Sequence, residues 1–412
     1  MRLCSVDLTN FRNYERLELS FTEGTHILYG DNAQGKTNLL EAIYLCTCAR
    51  SHRTSRDEEL IRHGDDFYRS TVEFVTDRGI QETVSIEYRQ ACEQAGTSSR
   101  IIRYNGLEIG RLADMMGLFH AILFAPEDLQ IVKDGPSERR RFLNILISRT
   151  DRAYFRDLQD FWRIIGQRNR LLKNLKNTHW QEPSTMISRE AREDLVSDPC
   201  SQLDIWDEAL AGAAASLLTK RLACVDQLSE YASLSLRHLT ASEEKLGIHY
   251  KSFGGLEADM DMDSIRVLYL ERLRRSREDD IARGNTSHGP HRDDMLLTLN
   301  GTDARTYASQ GQQRSVVLAL KIAELMILTE ICGEKPILLL DDVMSELDVS
   351  RRSRLMEVIR GHQVFITCTD PDQIVSPRTA DGDLSLLPQW DGPVHLYSVK
   401  AGTVEATQTV TR

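Results

Sequence analysis

Residues Gly30-Asp31-Asn32-Ala33-Gln34-Gly35-Lys36-Thr37 set two glycines, a lysine and a threonine at the spacing G-x-x-x-x-G-K-[ST]. Glycines let successive backbone N–H groups close around phosphate oxygens, and a helix that starts directly afterwards aims its positive end at them. In such a loop Lys36 reaches the β- and γ-phosphates of a nucleoside triphosphate, and Thr37 offers its hydroxyl to Mg, a small hard cation that also takes water and phosphate oxygens. Asn38 follows as the next candidate contact. A plain glycine turn with an exposed lysine is the bland alternative; an apolar THILYG run before the loop and TNLLEAIYLCTC, helical in its spacing, after it speak against that alternative.

A second candidate lies about 300 residues on. Ile337-Leu338-Leu339-Leu340-Asp341-Asp342 is an apolar run ending in two carboxylates, as a buried parallel strand ends at its C-terminal edge. Asp341 is expected to hold Mg directly or through water, and Asp342 to hold and polarise the attacking water. Phosphoryl transfer needs positioning and charge neutralisation more than covalent help, so Lys36, Asp341 and Asp342 form the expected catalytic set. Surface acids also end core strands, and the assignment rests on pairing this run with the glycine loop.

Ser309-Gln310-Gly311-Gln312-Gln313 precedes a helical pattern with Val317, Leu320, Ala323, Leu325 and Leu328 on its apolar positions. From the residues alone two readings stay open: Ser309 with Gln312 three later is a capping box, and a helix N-terminus can also receive an anion.

The elements that must position these groups are legible in outline. LELSF, TVEFV, ETVSIEYR and IIRYNGLEIG alternate like antiparallel strands, with Asn105-Gly106 as a two-residue hairpin turn. From about Pro136 to Arg283 long helical patterns take over: Tyr154, Leu158, Phe161, Ile165, Leu172 and Leu175 recur at three, four and seven. A second helical run spans roughly Leu203 to Leu246, and the polar stretch 181–200 between the two reads as a surface loop. After about Gly284, MLLTLNG, a helix from Gln312 to Ile331, ILLLDD, a helix from Ser350 to Arg360 and QVFIT alternate in the α/β manner, and the stretch 371–391 reads as a loop before a last strand, VHLYSV. The expectation is an α/β protein with residues 1–135 and 284–412 forming one mixed-sheet lobe, split by a helical lobe of residues 136–283 with a short arm.

The chain's 412 residues carry a net charge of −11, which argues against indiscriminate polycationic binding to nucleic acid and requires any such contact to be local. No stretch approaches the roughly 18 to 20 apolar residues that span a bilayer, and the start lacks a secretion signal, so a cytoplasmic location and no membrane partner are expected. The eight cysteines form no C-x-x-C pair and read as reduced thiols. Arg50, Arg53 and Arg56, the triplet Arg139-Arg140-Arg141, and Arg272, Arg274, Arg275 and Arg277 are the densest basic groups; each reads as a solvated face before a DNA contact. His288-Gly289-Pro290-His291-Arg292-Asp293-Asp294 matches no zinc spacing and reads as a structured turn.

Ala308-Ser309-Gln310-Gly311-Gln312 resembles the ABC ATPase signature L-S-G-G-Q, and Ser345-Glu346-Leu347-Asp348 resembles the D-loop of the same superfamily. That likeness implies that Ser309, Gly311 and Gln312 of one copy cap the γ-phosphate held by another, so that ATP joins two heads. L-T-N-F-R-N-Y, G-D-N-A-Q-G-K-T-N, F-A-P-E-D-L, G-P-S-E-R-R-R-F-L, G-P-H-R-D-D and L-L-L-D-D-V-M-S-E-L-D, in this order over residues 8 to 350, resemble the RecF family. The resemblance implies an ABC-type, SMC-like P-loop ATPase head with cofactors ATP and Mg. It further implies an ATP-dependent homodimer on double-stranded DNA beside a single-stranded gap, acting in gap repair with RecO and RecR to help RecA load, with hydrolysis as the reset. Departures are visible: no transporter-type Q-loop glutamine near Phe124-Ala125-Pro126-Glu127-Asp128, Cys368-Thr369-Asp370 where a switch histidine is usual, and an aspartate at the usual catalytic glutamate. These leave the residue that senses the γ-phosphate open and imply slow hydrolysis, because a shorter carboxylate must reach the water. A transporter subunit would need the missing Q-loop and histidine, and an SMC arm would need far more than about 150 helical residues at about 1.5 Å each. A DNA clamp with a vestigial ATPase remains the other reading.

Overall fold

A computed structural model describes residues 1–91, 98–179, 199–241, 244–373 and 392–411. Most of the polar stretch 181–200 and of the stretch 371–391 therefore lies outside the described residues. The described chain divides into two compact units, one of residues 1–133, 230–246 and 299–412, the other of residues 134–229 and 247–298.

The first unit contains two six-stranded sheets. One is antiparallel, in the order Tyr14–Ser20, Arg2–Phe11, Phe67–Val75, Gln81–Arg89, Ser99–Tyr104, Leu107–Glu108. Its period-two burial is clearest in Phe67–Val75, where Tyr68, Ser70, Val72 and Phe74 point inward. Asn105 and Gly106 both take positive φ (+49° and +79°) at its last turn, which suits Asn-Gly.

The other sheet runs Thr403–Val410, Val394–Lys400, Thr25–Tyr29, Val364–Cys368, Ile337–Leu340, Ala121–Phe124. All neighbours are parallel except the outermost Thr403–Val410. Its central strands are buried along their whole length, which is why they read as unbroken apolar runs. Register aligns Leu340 with both Phe124 and Ile366, and Cys368 with Tyr29. Loops after residues 29, 124, 340 and 368 therefore leave the same edge, where ligands of open parallel sheets bind.

Helix Lys36–Cys48 fills the space between the two sheets, touching both Phe67–Val75 and Ala121–Phe124. It is buried on nearly every side, from Leu39 to Cys48, so it lacks a polar face. Helix Gln310–Cys332 backs the parallel sheet through residues such as Val316, Leu320 and Ala323, and packs on Ala121–Phe124.

The second unit is mainly helical: Pro136–Thr150, Arg152–His179, the first part of Pro199–Thr240, Met262–Arg275 and Arg277–Arg283. It also holds most of two paired strands, Leu246–Lys251 and Asp294–Leu299. The first of these falls where only helical patterning was expected; its LGIHYK is short, and its glycine hides the alternation.

Two fully buried arginines organise this unit. Arg168 donates to Asp207 (2.7 Å), Asp280 (2.8 Å) and the Thr286 hydroxyl (2.8 Å). Arg221 donates to the hydroxyls of Tyr154 and Tyr250, to the Asn144 amide oxygen and to the Pro290 carbonyl. Residues 288–294 are the hub of this packing: Asp293 accepts from Tyr250, Asp294 accepts twice from Arg139 (2.7 and 3.0 Å), and His291 lies half-buried against Phe161 with its pKa pushed down to about 4 by desolvation. Gly289 stands at φ +126°, and a Cβ there would fall 2.1 Å from the Tyr269 hydroxyl, so only glycine fits. Among the described residues no group of three or more His, Cys, Asp and Glu is arranged to hold a metal ion. No described helix is long and apolar enough to cross a membrane.

Candidate nucleotide-binding site

Strand Thr25–Tyr29 delivers the chain into the glycine loop, and helix Lys36–Cys48 takes it away. Gly30 (φ +147°) and Gly35 (φ +121°) lie where side chains are strained, and both are crowded. A Cβ on Gly30 would meet the Val399 carbonyl at 2.4 Å, and one on Gly35 would meet Asn13 Nδ2 and the Tyr14 hydroxyl at 2.7 and 2.8 Å. The loop is thus held from two sides. Asn13 Nδ2 donates to the Gln34 carbonyl (2.9 Å), the Tyr14 hydroxyl donates to the Gly35 carbonyl (3.0 Å), and Asn38 Nδ2 donates to Asn13 Oδ1 (2.8 Å). Opposite them, Ala401 N donates to Gln34 Oε1 (2.7 Å) and Gly402 N to the Gln34 carbonyl (3.1 Å).

Lys36 is only 9% exposed, and its ammonium donates to the carbonyls of Gly30 (2.5 Å) and Asp31 (2.7 Å). Burial pulls its pKa down against the opposing pull of Cys368, Asp342, Asp341 and Asp31. A buried cation resting on two neutral carbonyls is one that phosphate oxygens can take over, since charge-assisted hydrogen bonds are about twice as strong as neutral ones.

Asp341 and Asp342 begin the loop after Ile337–Leu340. The Thr37 hydroxyl donates to Asp341 Oδ1 (2.9 Å), and the Thr367 hydroxyl donates to the same oxygen (2.7 Å). Thr367 in turn accepts from the Asp342 N–H (2.9 Å), at a φ of +53° for Asp342. Burial pushes the Asp341 pKa up, and the two hydroxyls work against it. The Thr37 hydroxyl and the Asp341 carboxylate are hard oxygens brought together at the cleft floor. This donor set fits Mg, which in nucleotide sites takes one or two carboxylates and completes its shell with phosphate and water.

These groups line a cleft of about 230 Å³ together with Asn32, Ala33, Asn38, Arg53 and Cys368. That is below the usual ~300 to 1,000 Å³ of small-molecule pockets, the right order for a phosphate chain with the rest of a nucleotide outside. Gly30, Asp31 and Gln34 form the loop's backbone and its anchors and do not line the cleft.

Sequence reading gave no role to Thr367, at the end of QVFIT, or to Asn13 and Tyr14, at the end of L-T-N-F-R-N-Y, and placed Arg53 only in a basic run. Arg53 turns into the cleft, donating to Asn38 Oδ1 (3.2 Å) and lying 3.7 Å from the carboxylates of Glu41 and Glu127. Burial would raise the Glu41 pKa, but hydrogen bonds from Arg12 and Ser51 reverse this and keep it anionic. Glu127 lies in the loop where a Q-loop glutamine was sought, and its charge acts on Asp341. Cys368, at the switch-histidine position, is driven up to about 12 by burial and is a neutral, unreactive thiol.

Ser309, Gly311 and Gln312 are not walls of this cleft. Ser309 Oγ accepts from Gln312 N (3.3 Å), Gln312 Oε1 accepts from Ser309 N (2.9 Å), and Gln312 Nε2 donates to Glu244 (2.8 Å). The capping box is formed, so within one chain these side chains serve the helix.

The family model described as the RecF/RecN/SMC N terminal domain matches residues 2–380. A DNA replication and repair protein RecF from Ruminiclostridium cellulolyticum is 40% identical over 376 residues, 91% of this chain and 95% of the relative. Its counterpart from Symbiobacterium thermophilum is 38% identical over 406 residues, 98% of each chain. A solved structure of the recombination mediator RecF with ATP, from the RecFOR pathway, aligns with a TM-score of 0.83 at 33% identity over 99% of this chain and 98% of that one. An Smc head domain from Pyrococcus furiosus aligns at a TM-score of 0.51 and 14% identity, which speaks for the fold alone.

Proposed function

We propose, from the premise that the chain belongs to the RecF/RecN/SMC N terminal domain family as a RecF-type ATPase of DNA replication and repair, a specific use of its cleft. ATP places its phosphates in loop 30–37, Lys36 leaves the two carbonyls for the β- and γ-oxygens, and Thr37 with Asp341 would hold Mg. Mg, when bound, neutralises phosphate charge. Asp342 orients the attacking water. The observation that carries this reading is the hydrogen bond at 2.9 Å between Thr37 and Asp341, residues 304 positions apart, at the mouth of a loop whose lysine has only neutral partners.

The N-terminus of helix Gln310–Cys332 supplies the other half of the site in a second copy. There Ser309, Gly311 and Gln312 meet the γ-phosphate, so ATP holds two heads together on duplex DNA near single-strand gaps. The exposed position of Ser309 and Gln310 at a long helix's N-terminus, away from the chain's own cleft, supports this reading. Hydrolysis, slow because an aspartate must reach the water and stimulated by DNA, resets the dimer. RecO and RecR are the expected partners in helping RecA load.

Sedimentation with Mg and ATP, with and without gapped duplex DNA, tests this beside Lys36→Met and Ser309→Arg. Dimers that require ATP, bind DNA and disappear in both variants are expected. A monomer indifferent to ATP, or equal DNA binding by all three proteins, overturns the dimer mechanism.

A further inference from the structure

We infer that the outer face of helix Arg152–His179 is a phosphate-tracking surface for duplex DNA, an assignment that rests on the DNA-repair reading above. The basic groups that stand out in the sequence are largely engaged. Arg139 is buried on Asp294 and not solvated as expected, and Arg140 donates to the Asp293 carbonyl (2.7 Å). Arg274 lies 3.6 Å from Glu208, Arg275 3.1 Å from Glu271, and Arg277 2.5 Å from Asp204.

Helix Arg152–His179 differs. Arg156, Arg163, Arg170 and Lys173 are all exposed, at spacings of seven, seven and three, which puts them on one stripe. The exposed residues interleaved on that stripe, Gln159 and Gly166, are uncharged. Arg156, Arg170 and Lys173 make no ion pair among the described residues; Arg163 is bridged to Asp160 at 3.0 Å, with both side chains more than half exposed. The other acid of this helix, Asp157, faces Lys220 and Ser216. The stripe extends past Gly284, which packs on the stems of Lys173 and Lys176 and follows exposed Arg283.

The opposite face fixes the stripe in place. Tyr154, Phe161, Ile165, Arg168 and Leu172 are buried, and Arg168 is locked by two carboxylates. Arg156 to Lys173 therefore spans about 25 Å of rigid helix at 1.5 Å per residue, with successive arginines about 10 Å apart. A straight, rigid, largely unneutralised row on a chain of net charge −11 complements a stiff polyanion, and duplex DNA carries one charge per ~1.7 Å of axis. The row offers four cations beside one half-exposed ring, Trp162, which packs edge-on against Phe161 and His291, so it engages phosphates and carries no sequence preference.

Anisotropy of a labelled duplex with the full chain, Mg and ATP, measured across a salt series, tests this. Arg156→Gln with Arg170→Gln and Lys173→Gln should weaken duplex binding by about 10- to 100-fold and flatten the slope of log affinity against log salt by about 3, at ~0.9 for each phosphate that is no longer neutralised. ATP affinity and thermal midpoint should stay at the parent values. Arg156→Lys with Arg170→Lys should retain binding, and Arg274→Gln with Arg275→Gln should leave it unchanged. Unaltered duplex affinity and slope in the triple variant, or a loss confined to single strands, overturns the surface while the ATPase reading stands. Failure of the parent protein to bind duplex at any nucleotide state overturns the DNA reading itself, and this surface with it.

Discussion

Two of the buried cations in the described residues, Arg168 and Lys36, are held in opposite ways. In the second unit Arg168 is inaccessible and neutralised by Asp207 and Asp280, with Thr286 adding a hydroxyl. In the cleft of the first unit Lys36 is nearly as buried, yet its hydrogen bonds go to backbone carbonyls, and the Asp341 carboxylate near it bonds elsewhere. A buried charge matched by carboxylates belongs to the architecture, because removing one partner strands the other. A buried charge held by neutral partners at the wall of an open cleft is available to a ligand, because exchange for phosphate strengthens every bond it makes, whereas Arg221, also on neutral partners, is enclosed and belongs to the packing.

Three experiments can break or sharpen that contrast. The largest effect is expected from Arg168→Ala, which leaves Asp207 and Asp280 buried with less compensation. Urea unfolding should show a loss of about 3 to 5 kcal/mol, and a loss under about 1 kcal/mol would remove Arg168 from the architecture. Next, Asp342→Asn should lower ATP hydrolysis by about 100-fold or more while ATP affinity changes little, as expected for a group used mainly in the transition state. Phosphate release beside calorimetric titration separates the two; equal losses in both would assign Asp342 to binding.

The smallest effect concerns pH. Burial raises the Asp341 pKa, so between its unfolded and folded values the native state holds the extra proton, and its contribution to stability falls as pH rises through that window. Mg needs the carboxylate, so Mg-dependent ATP affinity should weaken on acidification already above the ordinary carboxylate range near 3.9. Thr367→Ala removes a hydroxyl that holds this pKa down and should move the inflection to higher pH. Titration of ATP affinity with and without Mg from pH 5 to 8 reads the shift; the same inflection in both proteins would detach Asp341 from Mg.

The sequence was most legible where local pattern and structure coincide. The glycine loop lies between a strand and a helix, ILLL is a buried parallel strand, and helix Gln310–Cys332 starts at its capping box. Apart from Thr37 with Asp341, which the nucleotide motifs bring together, contacts between distant residues were not legible. Nothing near Asn13 or Tyr14 announces that they buttress Gln34 and Gly35, and Thr367 reads only as the end of an apolar strand until the register sets it against Asp341. The arginine triplet misleads for the same reason, since Arg139 becomes buried through Asp294, 155 residues away.

The hairpin formed by Val394–Lys400 and Thr403–Val410 carries a consequence for biosynthesis. Its turn grips Gln34 from 367 residues downstream, and Val399 abuts Gly30. At roughly 5 to 20 residues per second, a ribosome needs about 20 to 70 s to travel from the glycine loop to that turn. Throughout that interval the nascent chain displays the phosphate-binding motif without half of its support. Nucleotide competence is thereby tied to translation through residue 402, well after the motif itself has emerged.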